Sequence, residues 1–356
     1  MNSTVHELLA DRRICIIVGA GGVGKTTTSA AVALGMAILG HKVVVVTIDP
    51  ARRLADALGL EQLGNEPRLV DHSRLRVDVK GELWAMMLDP KRTFDDLIDR
   101  FAPSTARAAE IKRNQIYHEV STAVAGSQEF SAIEKLCELA EDDYDLIVLD
   151  TPPARNAADF LSAPGRIITF LEGGPVQMLL RPTGLGVRLL GLGLSPLLSA
   201  LRAVTGIDLI TNLTSFFVLL GGMTEEFQQR AHRVEQLLHA TDTGFLLVSS
   251  AEQGPSQETI DFNALLARAQ MPVIGAIANR IHAHARPGSA QRERAPDLAE
   301  KLRLTVEEQS ILAHRDAHNL TRLESELGGL PVLTVPELAT DIHDLNGLLA
   351  ICAHIF

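Results

Sequence analysis

The sequence predicts an α/β fold in which a doubly wound, mostly parallel sheet has an inserted α-helical subdomain. Three observations predict it. At least six short apolar runs alternate with segments of helical pattern, as in parallel strands joined by crossover helices. A glycine-rich loop joins the first of these runs to the first helix. The first two and the last two strand–helix units flank a long middle region of different composition.

The first strand and its loop are the stretch around which the chain is organised. Residues 14–28 read ICIIVGAGGVGKTTT, which is the G-x-x-x-x-G-K-[ST] phosphate loop between a strand and a helix. Glycines let successive backbone N–H groups turn toward one anion, and the helix N-terminus adds its positive dipole end. The predicted nucleotide-binding residues of this loop are Gly21, Gly22, Val23, Gly24, Lys25, Thr26 and Thr27.

Three side chains suit the chemistry of a magnesium-bound nucleoside triphosphate. Lys25 offers a mobile point charge for the β- and γ-phosphates, and the hydroxyl of Thr26 suits Mg²⁺. Asp150 ends the apolar run LIVLD and fits the acid of a Walker B strand, on the metal side of the site. The predicted cofactors are therefore ATP and Mg²⁺, in a P-loop NTPase fold.

A dinucleotide fingerprint is the competing interpretation of the loop. Its G-x-G-x-x-G spacing is present in Gly19, Gly21 and Gly24. Asp49 also ends the next strand, where a ribose-binding acid would lie. The fingerprint does not require Lys25 and Thr26, however, and it gives no role to Asp150. These residues favour the triphosphate.

The other elements follow from local pattern. The helix after the loop is rich in Ala and Leu, spans 29–39 and ends at Gly40. Later strands are continuous apolar runs, as expected for strands covered on both faces, at 42–48, 83–89, 144–150, 244–250, 272–279 and 331–335. Helical pattern is found at 91–142, where Phe94, Leu97, Ile98 and Phe101 are predicted to face a core, and at 256–269, 282–330 and 341–355.

Polar residues follow several of these strands, and each has two interpretations. Asp49 could position an attacking water, or could simply cap a helix that begins near Pro50. Residues 151–161 could form a switch loop that senses the γ-phosphate, or a proline-rich turn. Asn279 has an amide that can read adenine, or it could cap a turn. The histidines, His282 and His284 among them, have no metal-ligand spacing and are predicted to lie at the surface.

The middle region, 172–224, is rich in Leu and Gly. Its charge-free runs, 189–201 and 209–223, are shorter than a membrane span. The region is either a pair of buried helices or an exposed apolar groove or membrane-contacting flap. The predicted segments are an NTPase core at 1–90, 143–165 and 241–356, and a helical subdomain at 91–142 and 166–240.

Composition limits the partners and the compartment. A formal net charge of −11 and 4% aromatic residues argue against a nucleic-acid partner. Three cysteines, Cys15, Cys137 and Cys352, are widely spaced and form no C-x-x-C pair, which gives weak grounds for an arsenite-binding thiolate site. Residues 1–13 have no apolar signal segment, so a cytoplasmic protein is expected, with peripheral membrane attachment as an alternative.

The sequence motifs of this chain, in their order, resemble those of the arsenite-pump and tail-anchored-protein-targeting ATPases. They are most similar to the actinobacterial-type, anion-transporting branch of that family. The resemblance rests on GGVGKTT at 21–27, TIDPA at 47–51, VLDTPP at 148–153, LDP at 88–90, QET at 257–259, Asn279 and PE at 336–337.

The resemblance implies a dimer in which two protomers enclose two nucleotides face to face. It implies that Lys25 binds phosphate, that Thr26 binds Mg²⁺ and that Asp150 holds the metal shell through water. It also implies that Asp49 positions water and belongs to that shell. Adenine would be contacted at Asn279 and Pro336, and residues 151–156 would be the second switch.

Three departures from the family pattern change these expectations. Ala20 occupies the position of a signature Lys that reaches the partner's phosphates. Three consequences follow as alternatives: hydrolysis at this site is slow, Arg52 or Arg53 supplies the missing charge, or a paralogue with that Lys completes a heterodimer. The missing C-x-x-C predicts no zinc between protomers. The second switch lacks the usual A-P-T-G-H run.

Three functions remain open at this point. The first is an ATPase whose nucleotide state moves a helical subdomain that handles a hydrophobic client or a membrane partner. The second is an energising subunit for the export of an anion or metalloid. The third is a weakly hydrolysing or non-hydrolysing regulatory subunit of a heterodimer.

Overall fold

Two units make up the described part of the chain. The computed structural model describes residues 3–49, 52–73, 75–115, 117–118, 127–152, 165, 219, 223–283 and 296–356. The first unit takes the described parts of 1–87, 139–158 and 239–356. The second takes the described parts of 88–138 and 159–238.

The first unit is built on one sheet, which has eight strands in the described ranges. They are β1 (Ile14–Gly19), β2 (Lys42–Thr47), β3 (Arg68–Leu69), β4 (Glu82–Met87), β5 (Leu146–Asp150), β6 (Thr243–Ser250), β7 (Val273–Ile281) and β8 (Val332–Pro336). Their order is β3-β4-β2-β5-β1-β6-β7-β8. The pair β3–β4 is antiparallel and the other pairs are parallel. The predicted doubly wound α/β fold is confirmed.

The helices of the described ranges are α1 (Val5–Leu9), α2 (Lys25–Leu39), α3 (Arg53–Ala57), α4 (Pro90–Phe101), α5 (Thr105–Arg113), α6 (Ser127–Leu139), α7 (Thr224–His239), α8 (Gln253–Arg268), α9 (Pro296–Glu326) and α10 (Leu345–Ile355). In the first unit, α2 and α10 pack together over the apolar residues of the sheet. Strands β1, β5 and β6 are buried along their whole length, as their continuous apolar runs predict. No helix in these ranges combines the length and apolar composition that a bilayer crossing requires.

Helix α2 begins at Lys25, which agrees with the predicted helix start near Gly24 and extends the Ala- and Leu-rich stretch at 29–39 back to the loop. Its N-cap is Gly24, whose left-handed backbone (φ +93°) turns the loop directly into the helix, and the Gly24 carbonyl accepts the N–H of Thr28 at 2.9 Å. The three threonines of the first turn are β-branched and poor helix formers, so the helical pattern is clear only from Ser29 onward. The end of the helix at Gly40 is confirmed, with Gly40 again left-handed.

The second unit contains α4, α5 and most of α6 and α7. Phe94, Leu97 and Ile98 are buried on α4, as their helical spacing predicts, and Phe101 is half-buried. Helices α6 and α7 are joined by a buried ion pair in which Nε of Arg230 lies 2.6 Å from Oε1 of Glu134. Burial raises the pKa of Glu134 to about 7, although the Arg230 charge acts in the opposite direction. The apolar region predicted at 172–224 lies outside the described residues except for Leu219, Met223 and Thr224.

Candidate functional site

The loop at 20–24 joins β1 to α2, and we call it the phosphate-type loop. It lies at the point where the order of the strands in the sheet reverses. The chain goes from β1 to β2 on one side of this strand, while β6 pairs with its other side. In open α/β sheets, ligands bind at the carboxyl ends of the strands at such a point. At the end of β1, a Cβ on Gly19 would lie 2.0 Å from the carbonyl oxygen of Val248 in β6, so only glycine allows the two strands to pair there.

The loop itself turns through left-handed glycines. Gly22 has φ +80° and Gly24 has φ +93°, conformations that other residues rarely adopt. Gly21 and Gly22 are exposed, whereas Val23 is buried beneath them. Because α2 begins at the end of this loop, its unpaired first N–H groups and positive dipole end lie at the same place.

The side chain of Lys25 folds back onto the loop that precedes it. Its Nζ donates to the carbonyl oxygens of Ala20 at 2.9 Å and Gly19 at 3.1 Å, and the side chain is buried. Burial lowers the pKa of Lys25, and the negative charges of Asp150 and Asp49 oppose this shift. A phosphate oxygen is a stronger acceptor for an ammonium group than a neutral carbonyl is, so these two bonds can be exchanged for phosphate contacts.

The carboxylate of Asp150 lies at the centre of the strand ends. One oxygen, Oδ2, accepts the hydroxyl of Thr26 at 2.7 Å and the hydroxyl of Thr47 at 2.8 Å. The other, Oδ1, is buried and has no hydrogen-bond partner among the described residues. Burial raises the pKa of Asp150 to about 6, while the two hydroxyls act to lower it.

This donor set fits Mg²⁺. The ion prefers hard oxygen ligands, keeps several of its waters, and is held by one or two carboxylates together with phosphate. The hydroxyl of Thr26 and the buried, unpartnered Oδ1 of Asp150 offer such oxygens side by side. A cation would also offset the charge that burial makes costly on Asp150.

Asp49 lies just beyond the end of β2. Its backbone N–H donates to the hydroxyl of Thr47 at 3.2 Å, and its carboxylate lies 3.8 Å from Nη1 of Arg53. The alternative that Asp49 caps the next helix is wrong, because α3 begins at Arg53 and its N-cap is Arg52. The carboxylate is about one-third exposed and is therefore accessible to solvent.

Asn279 is buried near the end of β7 and is bound to the phosphate-type loop. Its Nδ2 donates to the carbonyl oxygen of Val23 at 2.9 Å, and its Oδ1 accepts the N–H of Arg280 at 3.0 Å. A Cβ on Gly24 would lie 2.4 Å from Nδ2, so the loop and this amide are closely packed. Pro336, the other residue predicted to contact adenine, ends β8 opposite Ile281 of β7.

Sequence reasoning missed two residues at this edge. Thr47 shares the Asp150 carboxylate, and the available signal was a hydroxyl residue closing the all-valine run of β2. Arg280 has a left-handed backbone (φ +57°), and its Nη1 donates to the carbonyl oxygen of Gly22 at 3.3 Å. No local pattern indicates this conformation, which an arginine rarely adopts.

The expectation that His282 is an ordinary surface residue is wrong. Its side chain is 18% exposed, and its ring nitrogens contact Asp316 and Glu337, which are distant in sequence. His284 lies outside the described residues.

The three cysteines are buried. Burial raises the pKa of Cys15 to about 12 and that of Cys352 to about 12, which disfavours their thiolates. Within the described ranges, no group of three or more His, Cys, Asp or Glu residues is arranged to hold a metal ion.

A family model described as anion-transporting ATPase matches residues 12–334. The chain belongs to this family. The predicted resemblance and the predicted enzyme class, an ATPase, are therefore confirmed at the level of the family. The matched range includes Lys25, Thr26, Asp49, Asp150 and Asn279, whereas Pro336 lies beyond its end.

Individual relatives of this chain match it over a shorter stretch than the family model does. ATPase GET3 of Chaetomium globosum is 31% identical over 167 residues, covering 46% of this chain and 47% of the relative. ATPase get3 of Aspergillus terreus is 33% identical over 154 residues, covering 43% of each chain. The aligned stretch thus spans about half the length of the curated relatives that it matches.

Replacing Asp150 with asparagine is expected to stabilise the nucleotide-free protein above pH 6. The folded-state pKa of about 6 lies above the ordinary value of 3.8. The stability contributed by this carboxyl group is therefore complete below pH 3.8 and is lost as the pH rises through 6. The asparagine side chain stays neutral, so the expected gain at pH 8 is about 1–3 kcal/mol in urea unfolding, and it should narrow toward pH 5.

Asp143→Asn, which changes an exposed carboxylate in the turn before β5, is the matched control and should alter stability little at any pH. An Asp150→Asn protein less stable than the wild type at pH 8 would contradict the assignment of a costly buried charge to this position.

Proposed function

We propose that this protein hydrolyses ATP in the presence of Mg²⁺ at the carboxyl edge of the sheet. The observation that supports this most directly is the grouping of Lys25, Thr26 and Asp150, with the Thr26 hydroxyl 2.7 Å from the Asp150 carboxylate. The family to which the chain belongs is one of ATPases, which agrees with that chemistry.

Each group has a separate task in this proposal. Mg²⁺, when bound, supplies positive charge against the phosphates and orients them. Thr26 binds the metal directly and Asp150 through water, in its ionised form, while Asp49 orients the attacking water and adds to the outer metal shell. Lys25 transfers its Nζ from the loop carbonyls to the β- and γ-phosphates, where its charge stabilises the transition state.

The base of the nucleotide belongs, in this proposal, beside Asn279 and Pro336. Asn279 supports this placement because its amide already contacts the phosphate-type loop, so a ligand on that loop extends toward the end of β7. The Nδ2 group of Asn279 already donates a hydrogen bond to Val23. Adenine would therefore be recognised by the other hydrogen-bonding sites of the amide or by the neighbouring backbone.

We further propose that nucleotide state is passed to the helical subdomain and to a hydrophobic client or membrane partner. The hydroxyl of Thr151, the first switch residue, donates to the carbonyl oxygen of Ile17 in β1 at 2.7 Å. The start of the proposed switch is therefore tied to the strand that leads into the loop. The Leu- and Gly-rich region at 172–224 follows this switch along the chain, and in this proposal its apolar residues would contact the client.

Dimerisation is part of the same proposal, as a homodimer or as a heterodimer with a paralogue. Ala20 is 2% exposed and contributes its carbonyl oxygen to Lys25, but no charge. Because Ala20 brings no charge, a second cation would have to come from elsewhere. This position therefore favours a heterodimer, or a regulatory subunit that hydrolyses little ATP.

The first test is Lys25→Ala. Loss of the ammonium group should lower ATP turnover at least about a hundredfold, measured as phosphate release with Mg²⁺, because the transition-state charge is no longer stabilised. Lys80→Ala removes an exposed lysine and serves as the control, with turnover unchanged. Wild-type turnover in the Lys25→Ala protein would refute the proposed site.

The second test is the turnover of the purified chain alone. Without a cation at position 20, we expect hydrolysis slower by on the order of 10³-fold than in a site that has one, although Mg-ATP still binds. A rate of about 1 s⁻¹ or faster in the isolated protein would contradict the need for a partner that supplies this charge.

The third test separates client handling from a second candidate function, which is to supply energy for anion export. The description of the family supports this second candidate. Arsenite and antimonite should leave turnover unchanged, because the thiols of Cys15 and Cys352 are buried and resist ionisation. Stimulation by either ion would favour the export function. Calorimetry with Mg-ATP alone provides the binding control.

A further inference from the structure

His282 joins three separate parts of the first unit. Its Nδ1 lies 2.7 Å from Oδ2 of Asp316 on α9, and its backbone N–H donates to the same oxygen at 3.0 Å. Its Nε2 lies 2.9 Å from Oε2 of Glu337, which directly follows β8. We call His282, Asp316 and Glu337 the histidine bridge.

Each ring nitrogen of His282 lies beside a carboxylate oxygen, Nδ1 beside Asp316 and Nε2 beside Glu337. The other oxygen of Asp316 accepts Nη2 of Arg315 at 2.8 Å. Within the described ranges, the charged groups in contact with the bridge are thus Arg315 and Asp316 from α9 and Glu337 from the turn after β8.

The two carboxylates of the bridge differ in their surroundings. The side chain of Asp316 is 1% exposed. Burial acts to raise its pKa, but the hydrogen bonds from His282 and Arg315 outweigh burial and hold the pKa below its usual value. The side chain of Glu337 is 53% exposed, so it can leave the ring at little cost. Asp316 therefore fixes the ring of His282, and the ring in turn holds Glu337.

The bridge adjoins the residues proposed for the base of the nucleotide. The N–H of Glu337 donates to the carbonyl oxygen of Ile281 at 3.0 Å, and Pro336 lies opposite Ile281 in the sheet. Asn279, which contacts the phosphate-type loop, precedes Ile281 by two positions on the same strand. The position of the Pro336–Glu337 turn thus depends on the backbone pairing of β8 and on the ring of His282.

We propose that His282 is a positioning residue that holds the Pro336–Glu337 turn in place for the nucleotide base. This inference rests on the proposed nucleotide site. His282 acts through Glu337 and does not touch the ligand. Removal of the ring takes away the side-chain contact that holds the turn. Affinity for the base should therefore fall when His282 is replaced, while affinity for the phosphates should not.

Two probes separate the base from the phosphates. Mg-ADP contains both parts, whereas magnesium tripolyphosphate lacks the base and the ribose. In calorimetry, His282→Gln should weaken Mg-ADP about tenfold, or about 1.4 kcal/mol, and leave tripolyphosphate unchanged. His318→Gln replaces an exposed histidine of α9 and should leave the affinity for both probes unchanged.

Glu337→Ala keeps the test informative should His282→Gln fold poorly. It should weaken Mg-ADP to a similar degree, and the double variant should lose no more than either single variant, because both remove one contact. Losses that add would overturn the proposal.

The outcomes distinguish failure of the proposed nucleotide site from failure of the proposed role of His282. A wild-type protein that binds neither probe would refute the proposed nucleotide site itself. A wild-type protein that binds both, with His282→Gln equal to it or weaker for both probes alike, would overturn the positioning role of His282 and leave the site in place.

Discussion

The buried carboxylate of Asp150 is the group on which the arrangement of the sheet edge depends. Parallel pairing places Asp150 beside Ile17 of β1 and Thr47 of β2, so three strand ends meet at one anion. Hydroxyls from β2 and α2 share one carboxylate oxygen and leave the other without a partner in the described ranges. A charge held this way destabilises the nucleotide-free fold and is offset when a cation arrives. The proposed metal site would thus be maintained at a cost in stability, as is common for functional sites.

The phosphate-type loop is supported from the opposite side by β7. Asn279 and Arg280 both donate to loop carbonyls, at Val23 and Gly22. Segments far apart in the chain therefore fix a loop whose own glycines give it little rigidity. A change in that loop on nucleotide binding would be felt first at these side-chain contacts, because they bridge separate elements.

Sequence alone predicted the parts of this structure that local pattern determines. The strands are continuous apolar runs, and β2 and β5 lie within one or two residues of their predicted ends. The first turn of α2 depends on the loop geometry at Gly24, which overrides the low helix propensity of the threonines. Strand β3 was missed because it has two exposed residues and no apolar pattern. The histidine bridge could not be predicted, because its members meet only when β7, β8 and α9 are assembled. The roles of Lys25, Thr26, Asp49, Asp150, Asn279 and Pro336 stay predictions.

The burial of all three cysteines has a practical consequence for measuring motion. Cys15 is in the central strand β1, Cys137 is in α6, and Cys352 packs in α10 with its Sγ 3.2 Å from the carbonyl oxygen of Ala31. Maleimide dyes react with accessible thiolates, which these positions disfavour. A single new cysteine at an exposed site would thus be labelled over a low background, without first removing the native thiols. Fluorophore pairs introduced in this way could report how the distance between two chosen positions changes while nucleotide is turned over.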